Sequence, residues 1–401
     1  MDLLDHPERT YPSIQITGTN GKTTTARMVT ALACAHGLST GTFISPHLQS
    51  VTERVSVCGA PISDQEFAEE YGHLLPFLER VDAGSTLRVT YFETLTALAF
   101  LWFADKPIGL GVFEVGLGGT WDATNLARGD VAVLCPIGLD HVKHLGSTVA
   151  QIAGEKSGIV KEGRPAVVRE QRPEAMEVIA KRAAEVGATM LVEGDAYALT
   201  RREPGVGGQV LRVRGVHAAY DDLFLPLFGE QAARNAAAAI VALETLLDRV
   251  LDDRATRRAL RGATSPGRVE VVASHPTVVL DGAHNPDAAV SLADTLREAF
   301  HWDRLHLVIG MFEDKDVEAV GAILAPLADA AYVCMNSSIR AASLERVSSA
   351  MLAGGAPHPE TFDDVASAVA AARASARERD LILITGSFYT VADARPLLVG
   401  A

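Results

Sequence analysis

The sequence lacks the long apolar runs and the paired cysteines that would mark a membrane protein or a disulfide-rich secreted one. Its longest uncharged apolar stretch, residues 95–104, falls well short of the roughly 18 residues that span a bilayer. The charged, proline-containing N-terminus does not fit a signal peptide. The cysteines lie far apart and form no CxxC pair, so we expect reduced, buried thiols in a cytoplasmic protein. They are Cys34, Cys58, Cys135 and Cys334.

Positive charge is also in deficit. Against 50 Asp and Glu residues the chain has 36 Lys and Arg residues, which gives a formal charge of −14. This balance disfavours nucleic acids and anionic membranes, and we expect neither as a partner. So acidic a protein would bind polyanionic small molecules through helix N-termini, single lysines and metal ions. The hydrophobic share of 48% indicates a globular chain, and 401 residues suffice for two or three domains.

Short apolar runs alternate with helix-like segments, which predicts an α/β fold with mainly parallel sheets. In the first half, strands are predicted at residues 13–17, 109–115, 131–137 and 166–169, with helices at 26–36, 64–80, 92–103, 173–186 and 231–250. The glycine-rich segment 195–226 predicts a small accessory antiparallel sheet. The second half predicts strands at 277–280, 306–309, 331–333 and 381–384, and helices at 288–300 and 365–377. We therefore expect an N-terminal domain over residues 1–262 and a Rossmann-like C-terminal domain over residues 263–401.

The strongest chemical motif is GTNGKTT, residues 18–24, which follows a predicted strand and opens a predicted helix. Backbone N–H groups and the helix dipole would converge there on an anion. Lys22 adds a mobile positive charge, and Thr23 offers a hydroxyl to a phosphate-bound Mg²⁺. A plain glycine-rich turn is the weaker interpretation, because the strand-bounded GKT keeps both glycines. The motif predicts a nucleoside triphosphate site in a P-loop ATPase domain.

Further polar residues follow other predicted strands. Glu114 ends one strand and is equally consistent with a structural carboxylate and with a metal ligand. His141 follows the next strand and should lie at the same sheet edge, whereas Lys156 lies on a polar stretch where a solvated lysine is the default interpretation. In the second half, DGAHNP (residues 281–286) and TGSFY (residues 385–389) also follow strands, which suggests a second face of a shared cleft.

Taken in order, these and several further motifs resemble the Mur ligase superfamily, and within it the bifunctional dihydrofolate synthase/folylpolyglutamate synthases. One such motif would be weak support, but this many in the same order are specific, and they cover nearly the whole chain. The motifs are GTNGKTT, SPHL at 45–48, ERV at 53–55, YFE at 91–93, EVGLGG at 114–119, DATN at 122–125, LDH at 139–141, EKSGIVK at 155–161, EQAARNAA at 230–237, SPGR at 265–268, DGAHNP, DKD at 314–316 and TGSFY.

The resemblance implies an ATP-dependent carbon–nitrogen ligase of the cytoplasm, monomeric, with small-molecule substrates. Members of this family activate a carboxylate as an acyl phosphate with ATP, and the amino group of L-glutamate then attacks it. The substrates implied are dihydropteroate or folate, L-glutamate and ATP. Because ligation needs the two domains to close, we expect a hinge between residues 257 and 266.

Positions that match the family's motifs supply the expected site. The residues implied in chemistry are Lys22, His141, Lys156, Asp281 and His284. Those implied in ATP binding are Thr19, Asn20, Gly21, Lys22, Thr23, Thr24, Asn235, Arg268 and Asp281. Those implied in holding two Mg²⁺ ions are Thr23, Ser45, Glu114, His141 and Lys156. Lys156 would act as a carbamate formed with CO₂. The resemblance also allows a monovalent cation as a further cofactor. Those implied in receiving the pterin substrate are Thr90, Tyr91, Phe92, Glu93 and Trp121.

Two departures from the family pattern leave other hypotheses open. The P-loop contains GKTT where the folate members usually have GKGS, and Thr120 and Trp121 stand where those members have arginine and leucine. A Mur-type ligase with a different carboxylate acceptor is therefore an alternative. The third hypothesis is a P-loop ATPase without ligase chemistry, which has no need of a second metal site.

Overall fold

The computed structural model describes residues 1–399 and divides the chain into two compact units. The first unit comprises residues 1–203, 208–226 and 231–264. The second comprises residues 204–207, 227–230 and 265 onward. Each unit contains its own mainly parallel sheet with helices packed on it, and the predicted α/β fold is confirmed.

The first unit is built on an eight-stranded sheet with the order β4-β3-β2-β5-β1-β6-β7-β8. Its strands are β1 Ser13–Thr17, β2 Thr40–Phe43, β3 Val55–Val57, β4 Ala60–Pro61, β5 Leu110–Glu114, β6 Val131–Leu134, β7 Ala166–Val168 and β8 Met190–Val192. Its helices are α1 Lys22–Ala35, α2 Asp64–Gly84, α3 Tyr91–Asp105, α4 Val142–Leu145, α5 Val149–Lys156, α6 Pro173–Glu185, α7 Glu230–Leu247 and α8 Asp253–Arg261.

The central strand of this sheet is β1, which pairs in parallel with β5 on one side and with β6 on the other. Chain order reverses there, because β2 and β5 lie to one side of β1 and β6, β7 and β8 lie to the other. In parallel α/β sheets, ligands bind at the carboxyl ends of the strands beside such a reversal. The loop after β1 and the ends of β5 and β6 therefore meet where a ligand is expected.

Two hydrophobic clusters attach helices to the sheet. An aromatic cluster packs α3 against β2 and β5, with the rings of Phe100 and Phe113 centred 4.9 Å apart. An aliphatic cluster, which includes Ile152 and Ile179, packs α5 and α6 against β6 and β7. Both clusters consist of side chains with almost no solvent exposure, so the strand ends that they support are held on a rigid layer.

The predicted accessory sheet is present as three strands in the order β11-β10-β9, with β10 and β11 antiparallel. The strands are β9 Ala198–Gly205, β10 Gly208–Arg214 and β11 Ala219–Leu225. The helix that follows, α7, is rich in alanine, and its run from Ala236 to Ala239 is fully buried. Small side chains allow the backbone of α7 to pack closely into the first unit.

The second unit contains a six-stranded sheet with the order β12-β13-β17-β14-β15-β16, parallel except for β12. Its strands are β12 Glu270–Ser274, β13 Thr277–Leu280, β14 Leu305–Ile309, β15 Ala330–Cys334, β16 Glu360–Phe362 and β17 Leu381–Thr385. Its helices are α9 Pro286–Ala299, α10 Val317–Leu324, α11 Leu344–Ala353, α12 Val365–Ser375 and α13 Phe388–Ala394.

Several local features differ from the sequence-based expectations. The antiparallel strands β3, β4 and β12 were not predicted, because runs of two to five residues carry little periodicity. Residues 257–261 of the predicted hinge belong to α8, so the non-helical part of that segment begins at Gly262. Among the helices of residues 1–399, none is both long enough and apolar enough to span a bilayer.

The prediction of four reduced thiols is wrong for two of them. Cys34, in the last turn of α1, forms a disulfide with Cys58, whose Cα atom is 5.9 Å away although the two are 24 residues apart. The pair meets because β3 folds back antiparallel on β2, which returns the turn after β3 to the end of α1. Cys135 and Cys334 are free and buried, as predicted.

Alkylation under denaturing, non-reducing conditions is expected to label Cys135 and Cys334 alone, whereas prior reduction should expose all four thiols. Opening the bond should lower the free energy of unfolding by about 3 kcal/mol, because it releases a closed loop in the unfolded chain. Peptide mass mapping and urea unfolding, with and without reductant, measure the two effects. Cys334→Ser is the matched control, and labelling of all four cysteines without reductant would contradict the assignment.

Candidate active site

The predicted phosphate-binding loop, residues 18–21, connects β1 directly to α1. Gly21 lies just before the helix in a left-handed conformation, with φ +91°, which glycine adopts at low cost. The backbone N–H of Thr19 donates to the Pro136 carbonyl at 2.9 Å, which ties the loop to the segment after β6. Lys22 folds over the loop, and its Nζ donates to the carbonyls of Gly18 (3.0 Å) and Thr19 (3.1 Å). Asn20 completes the loop, and Thr23 and Thr24 form the first turn of α1.

A buried carboxylate joins three elements beside this loop. Glu114, the last residue of β5, is 1% exposed. Its Oε1 accepts a hydrogen bond of 2.8 Å from the Thr23 hydroxyl, and its Oε2 accepts one of 3.1 Å from the backbone N–H of Ser45. The structure therefore brings three of the five predicted metal-site residues together. Carboxylate and hydroxyl oxygens are the ligands that Mg²⁺ prefers, so the Glu114 carboxylate and the Thr23 hydroxyl fit that ion.

The other two predicted metal-site residues line a cleft beside the P-loop. His141 lies just before α4 with φ +51°, and its backbone N–H donates to Asp140 Oδ1 at 2.7 Å. Lys156 is the last residue of α5, and the cleft it shares with His141 is also lined by Lys22. Within residues 1–399 no cluster of three His, Cys, Asp or Glu side chains has metal-site geometry. A cation bound here would thus take further ligands from water or from phosphate oxygens, as Mg²⁺ commonly does.

Lys156 is not the solvated side chain that its polar sequence context suggested, since only 4% of the residue is exposed. Burial, together with the positive charge of Lys22, lowers the pKa of its amine from the ordinary 10.5 to about 7. The negative charges of Asp140 and Asp122 act in the opposite direction and raise this pKa. A large fraction of Lys156 is consequently the neutral, nucleophilic amine near pH 7.

The segment after β5 holds Lys156 in place through close backbone packing. A Cβ atom on Gly119 would lie 2.7 Å from the carbonyl oxygens of Glu155 and Lys156, so this position requires glycine. The next residue, Thr120, donates its hydroxyl to the Glu155 carbonyl at 3.1 Å. The backbone N–H of Trp121 donates to Glu155 Oε1 at 3.1 Å, while its side chain is 88% exposed.

The segment predicted to receive the pterin forms the N-terminus of α3. Thr90 and Glu93 make a capping box, in which each side chain accepts a hydrogen bond from the other's backbone N–H. Between them, the Tyr91 ring is exposed and lies under the Arg54 guanidinium, 5.5 Å from its centroid. Phe92 packs its ring against the backbone of Gly116, which lines the cleft. Thr90 and Glu93 thus support the helix, and Phe92 contacts the cleft at Gly116.

Asn235, which the resemblance placed at the nucleotide, lies on α7 against the P-loop. A Cβ atom on Gly21 would be 2.9 Å from its Oδ1 and 3.0 Å from its Nδ2. Asn235 is buried, and its carboxamide also accepts a hydrogen bond from Arg169. Arg169 was recognised in the sequence only as the end of a strand, because nothing in the pattern AVVR shows that its charge is buried.

In the second unit, Arg268, Asp281 and His284 lie around the carboxyl end of β13. Asp281 accepts hydrogen bonds from the backbone N–H groups of Val269 (2.9 Å) and Ala283 (2.8 Å). Burial raises the pKa of the Asp281 carboxyl, and the nearby Arg268 opposes this shift. The Arg268 guanidinium stacks 4.7 Å from the centroid of the Phe388 ring. His284 directs Nδ1 to the Gly282 carbonyl at 2.8 Å.

Two family models match the chain: that of the Mur ligase middle domain over residues 16–243, and that of the Mur ligase glutamate ligase domain over residues 267–388. The dihydrofolate synthase/folylpolyglutamate synthase of Mycobacterium tuberculosis is 41% identical over 99% of this chain and 88% of its own length. A solved structure of M. tuberculosis folylpolyglutamate synthase complexed with ADP has a TM-score of 0.96 at 41% identity, over 100% of this chain and 93% of that one. Escherichia coli FolC in complex with DHPP and ADP has a TM-score of 0.87 at 32% identity, over 98% of this chain and 91% of that one.

Replacing Lys156 by methionine is expected to stabilise the fold in a pH-dependent manner. Below pH 7 the folded protein must hold a buried, charged amine, whereas only above the ordinary pKa of 10.5 is the amine largely neutral in the folded and the unfolded chain alike. The Lys156→Met protein should therefore exceed the parent in unfolding free energy by roughly 3–4 kcal/mol at pH 7, and this advantage should shrink as the pH rises toward 10.

Urea unfolding at several pH values, in buffers freed of CO₂ so that the amine stays unmodified, measures this difference. The exposed Lys181 on α6 supplies the matched control, and Lys181→Met should change the unfolding free energy little at any pH. A difference between Lys156→Met and parent that is independent of pH would show that the amine is not held neutral by burial.

Proposed function

Because the chain belongs to the Mur ligase family, in the group of dihydrofolate synthases/folylpolyglutamate synthases, we propose that it adds L-glutamate to dihydropteroate and to folates. It is an ATP-dependent ligase that forms a carbon–nitrogen bond. The first unit provides the ATPase site, and the second unit provides the residues of the glutamate ligase domain.

The observation that carries this proposal is the buried Glu114 carboxylate shared by the Thr23 hydroxyl and the Ser45 backbone, next to Lys22. A nucleoside triphosphate on the P-loop would place its terminal phosphate at the N-terminus of α1, where the N–H groups and Lys22 stabilise negative charge. Thr23, Ser45 and Glu114 would hold Mg²⁺ there. The bound ion would supply charge neutralisation on the phosphoryl oxygens.

The reaction takes place in two displacements. A carboxylate oxygen of the acceptor attacks the γ-phosphorus of ATP, the bond to the β–γ bridging oxygen breaks, and ADP leaves. The glutamate amine, having lost its ammonium proton, then attacks the acyl carbon. The bond from carbon to the phosphate oxygen breaks, so that phosphate leaves and the amide remains. Lys22 and the N–H groups of α1 lower the barrier of the first displacement by stabilising the charge on the transferring group.

Residues at positions that match the family's nucleotide-binding motifs make the remaining contacts. In the first unit, residues 19–24 surround the phosphates, and Asn235 lies against the P-loop at Gly21. In the second unit, Arg268 and Asp281 contact ATP, and His284 acts in the same motif. The two backbone N–H groups that bind Asp281 keep its carboxylate in a fixed orientation. The acceptor binds beside the aromatic residues at the start of α3 and the exposed Trp121.

Lys156 carries a carbamate in the active enzyme. Its neutral amine attacks CO₂, a nitrogen–carbon bond forms, and one proton is released, which turns the neutral amine into an anionic oxygen ligand. The burial of Lys156 in the cleft with His141 and Lys22 supports this assignment, because a plain ammonium group there would repel a cation. We also propose that the ligase works as a monomer in the cytoplasm.

Phosphate release from Mg·ATP, measured with L-glutamate and either dihydropteroate, tetrahydrofolate or no acceptor, tests the proposed function. Release is expected with both acceptors and not without one, and Lys22→Met should reduce kcat at least 100-fold because charge stabilisation at the phosphoryl group is lost. Lys181→Met should match the parent. If a protein that binds ATP releases no phosphate with either acceptor, its carboxylate acceptor is a different one. Phosphate release that does not depend on an acceptor would indicate a simple ATPase.

Removal of CO₂ tests the carbamate separately. Ligase activity should fall at least tenfold in CO₂-depleted buffer and return on addition of bicarbonate, because the anionic ligand forms reversibly. Lys156→Met should be inactive in both buffers, and Lys181→Met should follow the parent. Full activity of the parent after exhaustive CO₂ removal would rule out the carbamate and leave the ligase assignment intact.

A further inference from the structure

Arg169, the residue after β7, is the largest fully buried side chain of the described residues, and its guanidinium is shared among three acceptors. Its Nε donates to Glu193 Oε2 at 2.9 Å, and one terminal nitrogen donates to Gln231 Oε1 at 3.0 Å. The other terminal nitrogen donates to Asn235 Oδ1. Each of the three nitrogens of the guanidinium thus has an acceptor of its own.

This arrangement determines which way the Asn235 carboxamide faces. A guanidinium contains only donors, so the atom of Asn235 that meets Arg169 must be the oxygen. The amide nitrogen of Asn235 is then directed away from Arg169. The carboxamide lies against Gly21, so its N–H donors, which cannot pair with the guanidinium, lie beside the P-loop.

The same contacts attach α7 to the sheet. Gln231 and Asn235 are four residues apart on α7, which places both side chains on one face of the helix. Glu193 follows β8, and its carboxylate also accepts the backbone N–H of Glu170 at 2.9 Å and pairs with Arg234 at 3.3 Å. Arg169 therefore connects the ends of β7 and β8 to the helix that carries Asn235.

Burying an ion pair of this kind contributes little net stability, because the desolvation of both charges offsets their attraction. Core packing alone would be served as well by apolar residues in place of the whole ion pair. What an apolar side chain could not do is distinguish the two ends of the Asn235 carboxamide.

We propose that Arg169 is a positioning residue for the nucleotide: it holds Asn235 with its N–H donors toward an acceptor atom of bound ATP or ADP. This inference rests on the proposed function, in which Asn235 contacts the nucleotide. Without Arg169 the carboxamide is free to rotate, and the orientation that offers the acceptor oxygen competes with the productive one.

A double-mutant cycle in the full-length protein tests this role, with ADP affinity measured by isothermal titration calorimetry. Asn235→Ala should weaken ADP binding about tenfold, the effect of one lost hydrogen bond to the ligand. Arg169→Met should weaken it about 5- to 10-fold. The double variant should bind ADP within twofold of Asn235→Ala, because Arg169 acts through Asn235.

Asn235→Asp separates the donor role from packing. The aspartate has the same shape and pairs with Arg169, so the thermal midpoint of unfolding should be retained, whereas the N–H donors are gone and ADP affinity should fall about tenfold. Arg234→Met is the matched control, because it removes an arginine that pairs with Glu193 and Glu170. Its ADP affinity should stay within twofold of the parent.

Additive losses in the double variant would overturn the inference and assign Arg169 a structural role. Unchanged ADP affinity in both Asn235 variants would instead show that Asn235 does not contact the nucleotide. That conclusion would hold whether or not the phosphate-release assay supports the proposed function. If Arg169→Met does not fold, Arg169→Lys replaces it, since lysine keeps the charge beside Glu193 but cannot reach three acceptors at once. Wild-type ADP affinity in that variant would equally refute the positioning role.

Discussion

The hydrogen bonds of the Glu114 carboxylate to Thr23 and Ser45 are the constraint around which the first unit is organised. A carboxylate removed from water is costly unless its oxygens are bonded, so β5, the first turn of α1 and the segment after β2 must keep their relative positions. These elements are neighbours because β5 and β1 pair in parallel at the centre of the sheet. The same bonds leave hard oxygen atoms next to the phosphate-binding loop, and this combination suits phosphoryl transfer with Mg²⁺.

Beside this carboxylate the protein places positive charge on the P-loop, although its formal charge is −14. The N-terminus of α1 and Lys22 adjoin one cleft, which the buried Lys156 also lines. Burial makes Lys156 sensitive to its surroundings, because the cost of a charged amine there lowers its pKa to about 7. Local positive charge at the P-loop thus allows an acidic protein to bind a triphosphate. Behind the P-loop, Arg169 donates hydrogen bonds to two side chains of α7.

Much of the fold could be predicted because many of its strands are apolar runs bounded by turns, as in β6 and β13. The P-loop could be predicted because glycines, lysine and threonine must follow a strand in that order to bind phosphate. The prediction was wrong for Cys34 and Cys58, and it missed β3 and β4. Those features depend on one hairpin folding back beside α1, and no local pattern shows which turn will meet which helix end.

The sequence by itself determined the α/β class, the phosphate-binding loop and the identity of the polar residues after each strand, because these depend on the order of neighbouring residues. Only the tertiary structure decided that the Glu114 carboxylate accepts hydrogen bonds from Thr23, 91 residues away, and from Ser45, 69 residues away. It also decided that Lys156 is buried. It alone decided that Arg169 faces Asn235. The energies of such groups depend on their burial and partners, and both arise only when distant strands are packed into one sheet.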